Sequence, residues 1–136
     1  MKRKLLLVDD DREFAELFRK RAEGSGWDMV WLNDGTDAVK TVKAEKPDII
    51  ILDVFLPEMD GFTTLKSLKA KIDPDSKAPS VICDIPVVVM TGKAPMMEDM
   101  IRFEGAVEFF TKPVDGATLL KRINEIVDKR QKAQKS

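Results

Sequence analysis

Histidine is missing entirely from the 136 residues. The chain therefore has no imidazole to ligate a metal, to act as a base beside a serine or aspartate, or to carry a phosphoryl group. Cysteine is nearly missing too. Cys83 stands alone, which excludes an internal disulfide and any cysteine-built zinc cage, and fits a reducing compartment. Long apolar runs are absent as well, the longest being a few residues, far short of a membrane span. The start, MKRKLLLVDDD, has basic residues before leucines as a secretion signal would. Three aspartates end that apolar run after Val8, and no small-residue cleavage site follows. A cytoplasmic protein is expected. Charge of one sign is not in excess either: 23 basic residues face 24 acidic ones, so bulk electrostatics favour neither nucleic acid nor an acidic membrane.

What remains suffices for one domain. A 43% hydrophobic content can fill a core without disulfide or metal staples. Short apolar, β-branched runs at Leu5–Val8, Met29–Leu32, Ile49–Leu52, Val87–Met90 and Val107–Phe110 read as strands. Between them apolar residues recur at helical spacing. Phe14, Leu17, Phe18 and Ala22 mark a helix over about 12–23, and Ala38, Val39 and Val42 a second. Phe62, Leu65, Leu68 and Ile72 mark a third, residues near 95–103 a short fourth, and Leu119, Leu120, Ile123, Ile126 and Val127 a fifth. Five-fold strand–helix alternation predicts an α/β three-layer sandwich around a parallel sheet. Residues 1–128 form the domain, and 129–136 read as a polar, basic frayed helix end or tail. Residues 73–86, with Pro74, Pro79 and Pro86, read as an extended loop.

Ligands of such sheets bind at the carboxyl ends of the strands. Polar residues stand at those ends: Asp9 and Asp10 after the first strand, Asp53 at the third, Thr91 at the fourth and Lys112 at the fifth. Any one of them alone would be an ordinary loop-border residue. Together they form a chemical set. Converging carboxylates repel unless a cation intervenes, and all-oxygen donors suit Mg²⁺. A lysine and a hydroxyl bind phosphoryl oxygens, so the set points to phosphoryl transfer with a carboxylate nucleophile. Pro113 follows Lys112, so the peptide between them can be cis or trans.

Four motifs make a resemblance specific: LLLVDDD at Leu5–Asp11, ILDVFLPEMDG at Ile51–Gly61, VVVMTG at Val87–Gly92 and GAVEFFTKP at Gly105–Pro113. With them the chain resembles, over nearly its whole length, the receiver domain of two-component response regulators. Pro57, Met59, Asp60 and Gly61 carry most of the specificity. The resemblance implies a CheY-like, flavodoxin-like sheet of order 2-1-3-4-5 in an apparently single-domain regulator. It implies that Asp53 accepts a phosphoryl group from a phosphohistidine on a sensor histidine kinase or histidine phosphotransfer protein. Mg²⁺ would be bound by Asp10 directly, Asp9 chiefly through water, Asp53, and the backbone carbonyl of Phe55. Lys112 and Thr91 would take phosphoryl oxygens. Movement of Thr91 would be coupled to Phe109, remodelling the face of helix 4, strand 5 and helix 5 where a downstream protein binds. No direct nucleic-acid or membrane partner is implied, nor any enzyme activity beyond assisting its own phosphorylation and dephosphorylation.

Several positions depart from that family's pattern. Phe55 stands two after the acceptor, where a polar side chain is frequent, and would shield the phosphoryl group or hinder an attacking water. Phe109 has no hydroxyl, so a switch there works through packing. Gly92 replaces the usual alanine and Lys93 adds a charge at the rim. Asp53 and Thr91 lie 38 positions apart, longer than usual by roughly two helical turns' worth of residues; the insertion reads as a partner contact or a tolerated surface elongation, with the second favoured. Met96, Met97 and Met100 with Phe103 form a flexible apolar cluster on the fourth helix, suited to adaptable binding or half-buried packing. Rival readings are weaker. A haloacid-dehalogenase-type phosphatase needs an acid and a threonine where Phe55 and Pro57 stand. A nucleotide-binding module needs a glycine-rich loop where three aspartates stand. The remaining alternative is an interaction module of receiver fold acting independently of phosphorylation.

Overall fold

Leu5, Leu6, Leu7 and Val8 are four consecutive residues with no solvent exposure. Such burial on both faces arises when a parallel strand lies between two layers of helix. In the computed structural model, which describes residues 2–54, 61–92 and 98–135, this run belongs to β1 (Arg3–Val8). It pairs with β2 (Trp27–Leu32) on one side and β3 (Ile49–Asp53) on the other. β4 (Val87–Thr91) and β5 (Glu108–Thr111) complete a five-stranded parallel sheet of order β2-β1-β3-β4-β5. The predicted order and all five strands are observed, with ends shifted by one or two residues.

The period-2 alternation of the strands divides the core. Leu6, Val8, Ile50, Leu52, Val87 and Val89 face one layer, built from α2 (Ala38–Glu45), α3 (Gly61–Lys69) and α4 (Glu98–Phe103). Leu5, Leu7, Ile49, Ile51, Val88 and Met90 face the other, built from α1 (Arg12–Gly24) and α5 (Gly116–Lys135). The start of α1 is local chemistry. The Asp11 carboxylate accepts the Phe14 N–H at 3.0 Å, capping an otherwise unpaired donor, and Glu13 favours the positive end of the helix.

One expectation needs correction. Ile72 is not the last apolar position of α3, which ends at Lys69; it forms an isolated bridge with Pro79 and is 55% exposed. The proline at 74 disfavours helix at the preceding residue, and a competing turn captures the backbone. In that turn the Asp73 carboxylate accepts the N–H groups of Asp75 (2.8 Å) and Ser76 (3.3 Å), while its own N–H donates to Ala78. The chain end, expected as a helix end or a tail, is helix: residues 129–135 are the last turns of α5. Arg3 of β1 fastens this extension, donating to Asn124, Asp128 and Gln131 on one face of the helix.

The long α3–β4 connection is anchored rather than loose. Lys43 of α2 reaches Asp73 at 2.7 Å, and Ile82 and Ile85 sink into the core with α3 and α4. Ile85→Ala is therefore expected to cost about 2–4 kcal/mol of stability. Val81→Ala, at a site 81% exposed, should stay within about 0.5 kcal/mol. Urea unfolding of both variants checks this, and equal losses would mean that the connection contributes nothing to the core.

Candidate functional site

The carboxyl ends of β1, β3 and β4, with the residue following β5, gather the polar residues named from the sequence. Asp9 leaves β1 with no solvent exposure, its N–H donating to Leu32 at 3.0 Å and its Oδ1 accepting the Asp11 N–H at 3.0 Å. Asp10, one residue on, is exposed. Asp53 is the last residue of β3 and only 4% exposed. Thr91 ends β4 and is fully buried. Carboxylate oxygens of Asp9, Asp10 and Asp53 all lie within 4.8 Å of one another.

Lys112 closes this cluster from the fifth strand. Its backbone N–H donates to Thr91 at 2.8 Å, continuing the β4–β5 pairing, and the Lys112–Pro113 peptide is cis. The ammonium Nζ lies 2.9 Å from Asp53 Oδ2 and donates to Asp9 Oδ1 at 3.0 Å, with Asp9 Oδ2 at 2.9 Å. One cation thus bridges the two buried carboxylates.

The electrostatics follow from that geometry. Burial pushes the Asp9 carboxyl above its ordinary 3.8; the Asp11 N–H and the Lys112 ammonium oppose this, and the neighbouring Asp53 charge adds to it. Burial alone would lower the Lys112 pKa, but hydrogen bonds to Asp9 and Asp53 outweigh it and hold the ammonium above 10.5. Among the described residues, three carboxylates against one ammonium make the pocket electronegative. An all-oxygen donor set with one exposed member fits a hard divalent cation such as Mg²⁺, which keeps several of its waters.

Phe109 lies on β5 opposite Val89, half-buried against the layer of α2, α3 and α4. Beside it Glu108 joins two helices, accepting from Arg102 of α4 at 3.0 Å and from Arg122 of α5 at 2.9 Å. Burial pulls the Glu108 carboxyl upward, but bonds from Arg122, the Phe109 N–H and Arg102 prevail and hold it below 4.5. Sequence reasoning missed this bridge. Only the Glu98–Arg102 pair at i,i+4 carried a local signal. It missed also that the Trp31 indole N–H donates to the Asp9 carbonyl at 2.8 Å, since a strand tryptophan reads simply as apolar. Phe55, Pro57, Met59, Asp60, Lys93, Met96 and Met97 lie outside the described residues, as do the side chains of Met100 and Phe103.

Comparison with known proteins agrees with this geometry. The family model described as response regulator receiver domain matches residues 5–124. Among curated proteins, the alkaline phosphatase synthesis transcriptional regulatory protein PhoP of Bacillus subtilis (strain 168) is 31% identical over the whole of this chain. The chain spans about half of that relative, 53% of its length. Among solved structures, a CheY-like response regulator receiver domain protein from Methanospirillum hungatei JF-1 superposes with a TM-score of 0.80 at 21% identity, covering 98% of this chain and 99% of its own. The BeF3-activated N-terminal receiver domain of Klebsiella pneumoniae RstA gives a TM-score of 0.75 at 26% identity, covering 91% and 97%.

Proposed function

The chain belongs to the response regulator receiver domain family of two-component signalling, and on that premise we propose that Asp53 is its phosphoryl acceptor. The observation that carries the reading is the Lys112 ammonium bridging Asp9 and Asp53 at about 3 Å inside a cluster of three carboxylates. A carboxylate oxygen of Asp53 attacks the phosphorus of a phosphohistidine on a sensor kinase or histidine phosphotransfer protein. The P–O bond forms as the P–N bond breaks, and the leaving imidazole takes up a proton.

Charge decides the roles of the remaining residues. The phosphoryl group arrives with two negative charges of its own, so the pocket must supply positive ones. Lys112 is already within bonding distance of the acceptor and moves its donors to a phosphoryl oxygen. The hydroxyl of Thr91, at the end of the adjacent strand, takes another. Asp10, Asp53 and the Phe55 carbonyl would hold Mg²⁺ directly and Asp9 chiefly through water, and the ion would supply the remaining charge neutralisation. The exposed Asp10 and the buried, lysine-paired Asp9 support that division of labour.

Output follows from the neighbouring strand. Thr91 moving toward the phosphoryl group vacates volume that Phe109 turns to fill, altering the α4–β5–α5 face for a downstream protein. The domain acts as a signalling module. Among the described residues no helix is long and apolar enough to cross a membrane.

The test is intact mass after incubation with Mg²⁺ and acetyl phosphate, beside an Asp53→Asn variant. A single phosphoryl adduct that requires Mg²⁺ and is lost in the variant is the expected result. No adduct, under conditions that label another receiver domain, would replace this reading with a phosphate-independent interaction module.

A further inference from the structure

The backbone of Asp9 is held at both ends by one neighbouring strand. Its N–H donates to the Leu32 carbonyl at 3.0 Å, as β1–β2 pairing requires. Its carbonyl, where the ladder has ended, accepts instead the indole N–H of Trp31 at 2.8 Å. That carbonyl belongs to the peptide joining Asp9 to Asp10. Fixing it fixes the plane in which the chain leaves β1, and with it the direction from which Asp10 meets the cluster. The indole is itself held. It packs half-buried on the α1–α5 side of the sheet, and the Arg12 guanidinium lies over the ring at 5.2 Å.

The second tryptophan shows what an indole N–H does when it is merely satisfied. Trp27, at the opposite end of β2, donates to the Asn124 side chain at 3.1 Å, remote from the acidic residues. Both indoles find a partner, as half-buried and buried indoles do. Only that of Trp31 ends on the backbone of a residue in the carboxylate cluster. The two tryptophans are thus a matched pair: same strand, same face, same kind of hydrogen bond, different acceptor.

We propose that Trp31 is a positioning residue of the acidic site, its indole N–H setting the Asp9–Asp10 peptide and thereby the spacing of Asp9, Asp10 and Asp53. The inference rests on the reading of that cluster as a divalent-cation site. Phenylalanine at 31 keeps an aromatic ring on the sheet but removes the donor. The peptide is then free to turn toward solvent, and the carboxylates lose part of their preorganisation. Groups that orient the ligands of a metal typically contribute ten- to a hundredfold in affinity, so a loss of roughly tenfold is expected for a backbone contact of this kind.

The experiment compares Trp31→Phe with Trp27→Phe, using Mn²⁺ as a paramagnetic substitute for Mg²⁺, both being taken by oxygen donors. Free and bound Mn²⁺ are counted by electron paramagnetic resonance, and the melting temperature of each variant is recorded. Both variants are expected to lose stability, while only Trp31→Phe weakens Mn²⁺ binding. In the Trp27→Phe protein, where Trp31 is the sole indole, emission is expected to change saturably with Mg²⁺. Wild-type Mn²⁺ affinity in a folded Trp31→Phe protein would overturn the proposal, and so would indole emission indifferent to Mg²⁺. Should Trp31→Phe fail to fold, the emission titration decides alone. Absence of saturable Mn²⁺ binding by the unaltered protein would instead remove the cation site itself, a different failure from that of Trp31.

Discussion

Lys112→Met is expected to reduce phosphoryl uptake at Asp53 from acetyl phosphate by about 10²–10³-fold, the usual cost of deleting one charge-stabilising donor from a transition state. The methionine keeps most of the side-chain volume, so the loss measures charge and hydrogen bonding rather than shape. Stability changes as well, and its pH dependence identifies the cause. Asp9 and Asp53 are both buried and both bond the Lys112 ammonium. Without it, two buried carboxylates face one another. Breaking a buried ion pair leaves an uncompensated charge, costing roughly 3 kcal/mol at neutral pH.

The sign of the pH effect follows from the folded-state pKa values. The Asp9 carboxyl already lies above its ordinary 3.8, and losing Lys112, which lowers it, raises it further. A carboxyl that binds its proton more tightly when folded favours the folded state at low pH. The variant therefore loses stability as pH rises from 3.8 through the raised folded value, and recovers on acidification. The wild-type ammonium has the complementary profile. Its contribution is fully present below 10.5 and is lost as pH climbs through its raised folded pKa. Urea unfolding of the variant from about pH 4 to pH 8 reads its loss, unfolding of the unaltered protein above about pH 10 reads that of the ammonium, and intact mass after acetyl phosphate treatment reads the uptake. Unchanged uptake in the variant would remove Lys112 from the proposed chemistry.

Gly61→Ala is the other substitution with a large expected effect. Its reason lies in backbone rather than charge. A Cβ at position 61 would lie 2.2 Å from the Cα of Val54 and 2.5 Å from its carbonyl carbon and oxygen. These are backbone atoms, which no side-chain rotation can clear. The Gly61 N–H also donates to the Val54 carbonyl at 3.1 Å, so the first residue of α3 rests directly on the residue that follows Asp53. Alanine must push the two segments apart, at a cost of about 1–3 kcal/mol for overpacking. Displacing Val54 also displaces its neighbour, and misplacement of a reacting group by about 1 Å can cost up to about 10²-fold in rate. Gly24→Ala is the control. Nothing lies within 4 Å of a Cβ at that position, at the end of α1, and the change should be neutral or stabilising by about 0.5–1 kcal/mol. Chemical denaturation and phosphoryl uptake of the two variants give the comparison. Equal behaviour would mean that the α3 start does not bear on the acceptor strand.

What could be read from the sequence had a local origin. Side-chain direction repeats every two residues in a strand and every 3.6 in a helix. The runs at Leu5–Val8 and Ile49–Leu52 and the helical spacing of Phe14, Phe18 and Ala22 therefore revealed their elements without reference to distant residues. The alternation of those elements restricts the sheet to few arrangements, and ligand sites in such sheets lie at strand ends. Asp9, Asp10, Asp53, Thr91 and Lys112 were legible as one chemical set for that reason. Ile72 was misread because helical spacing continued past the point where the turn begun by Asp73 took over the backbone.

Contacts between residues far apart in the chain were left to the tertiary structure. Lys112 and Asp53 are 59 residues apart, and nothing near either one says that the ammonium lies between Asp53 and Asp9. The same holds for Arg3 fastening the last turns of α5 across more than a hundred residues, and for the Glu108 carboxylate joining Arg102 to Arg122. The sequence names the residues because side-chain chemistry and backbone periodicity are properties of short segments. Only packing decides which donor meets which acceptor, since that choice follows from how the layers close on the sheet. Trp31 shows the division within one residue: its alternation placed it on the sheet as an apolar ring, and the folded chain turned its indole N–H onto the carbonyl of Asp9.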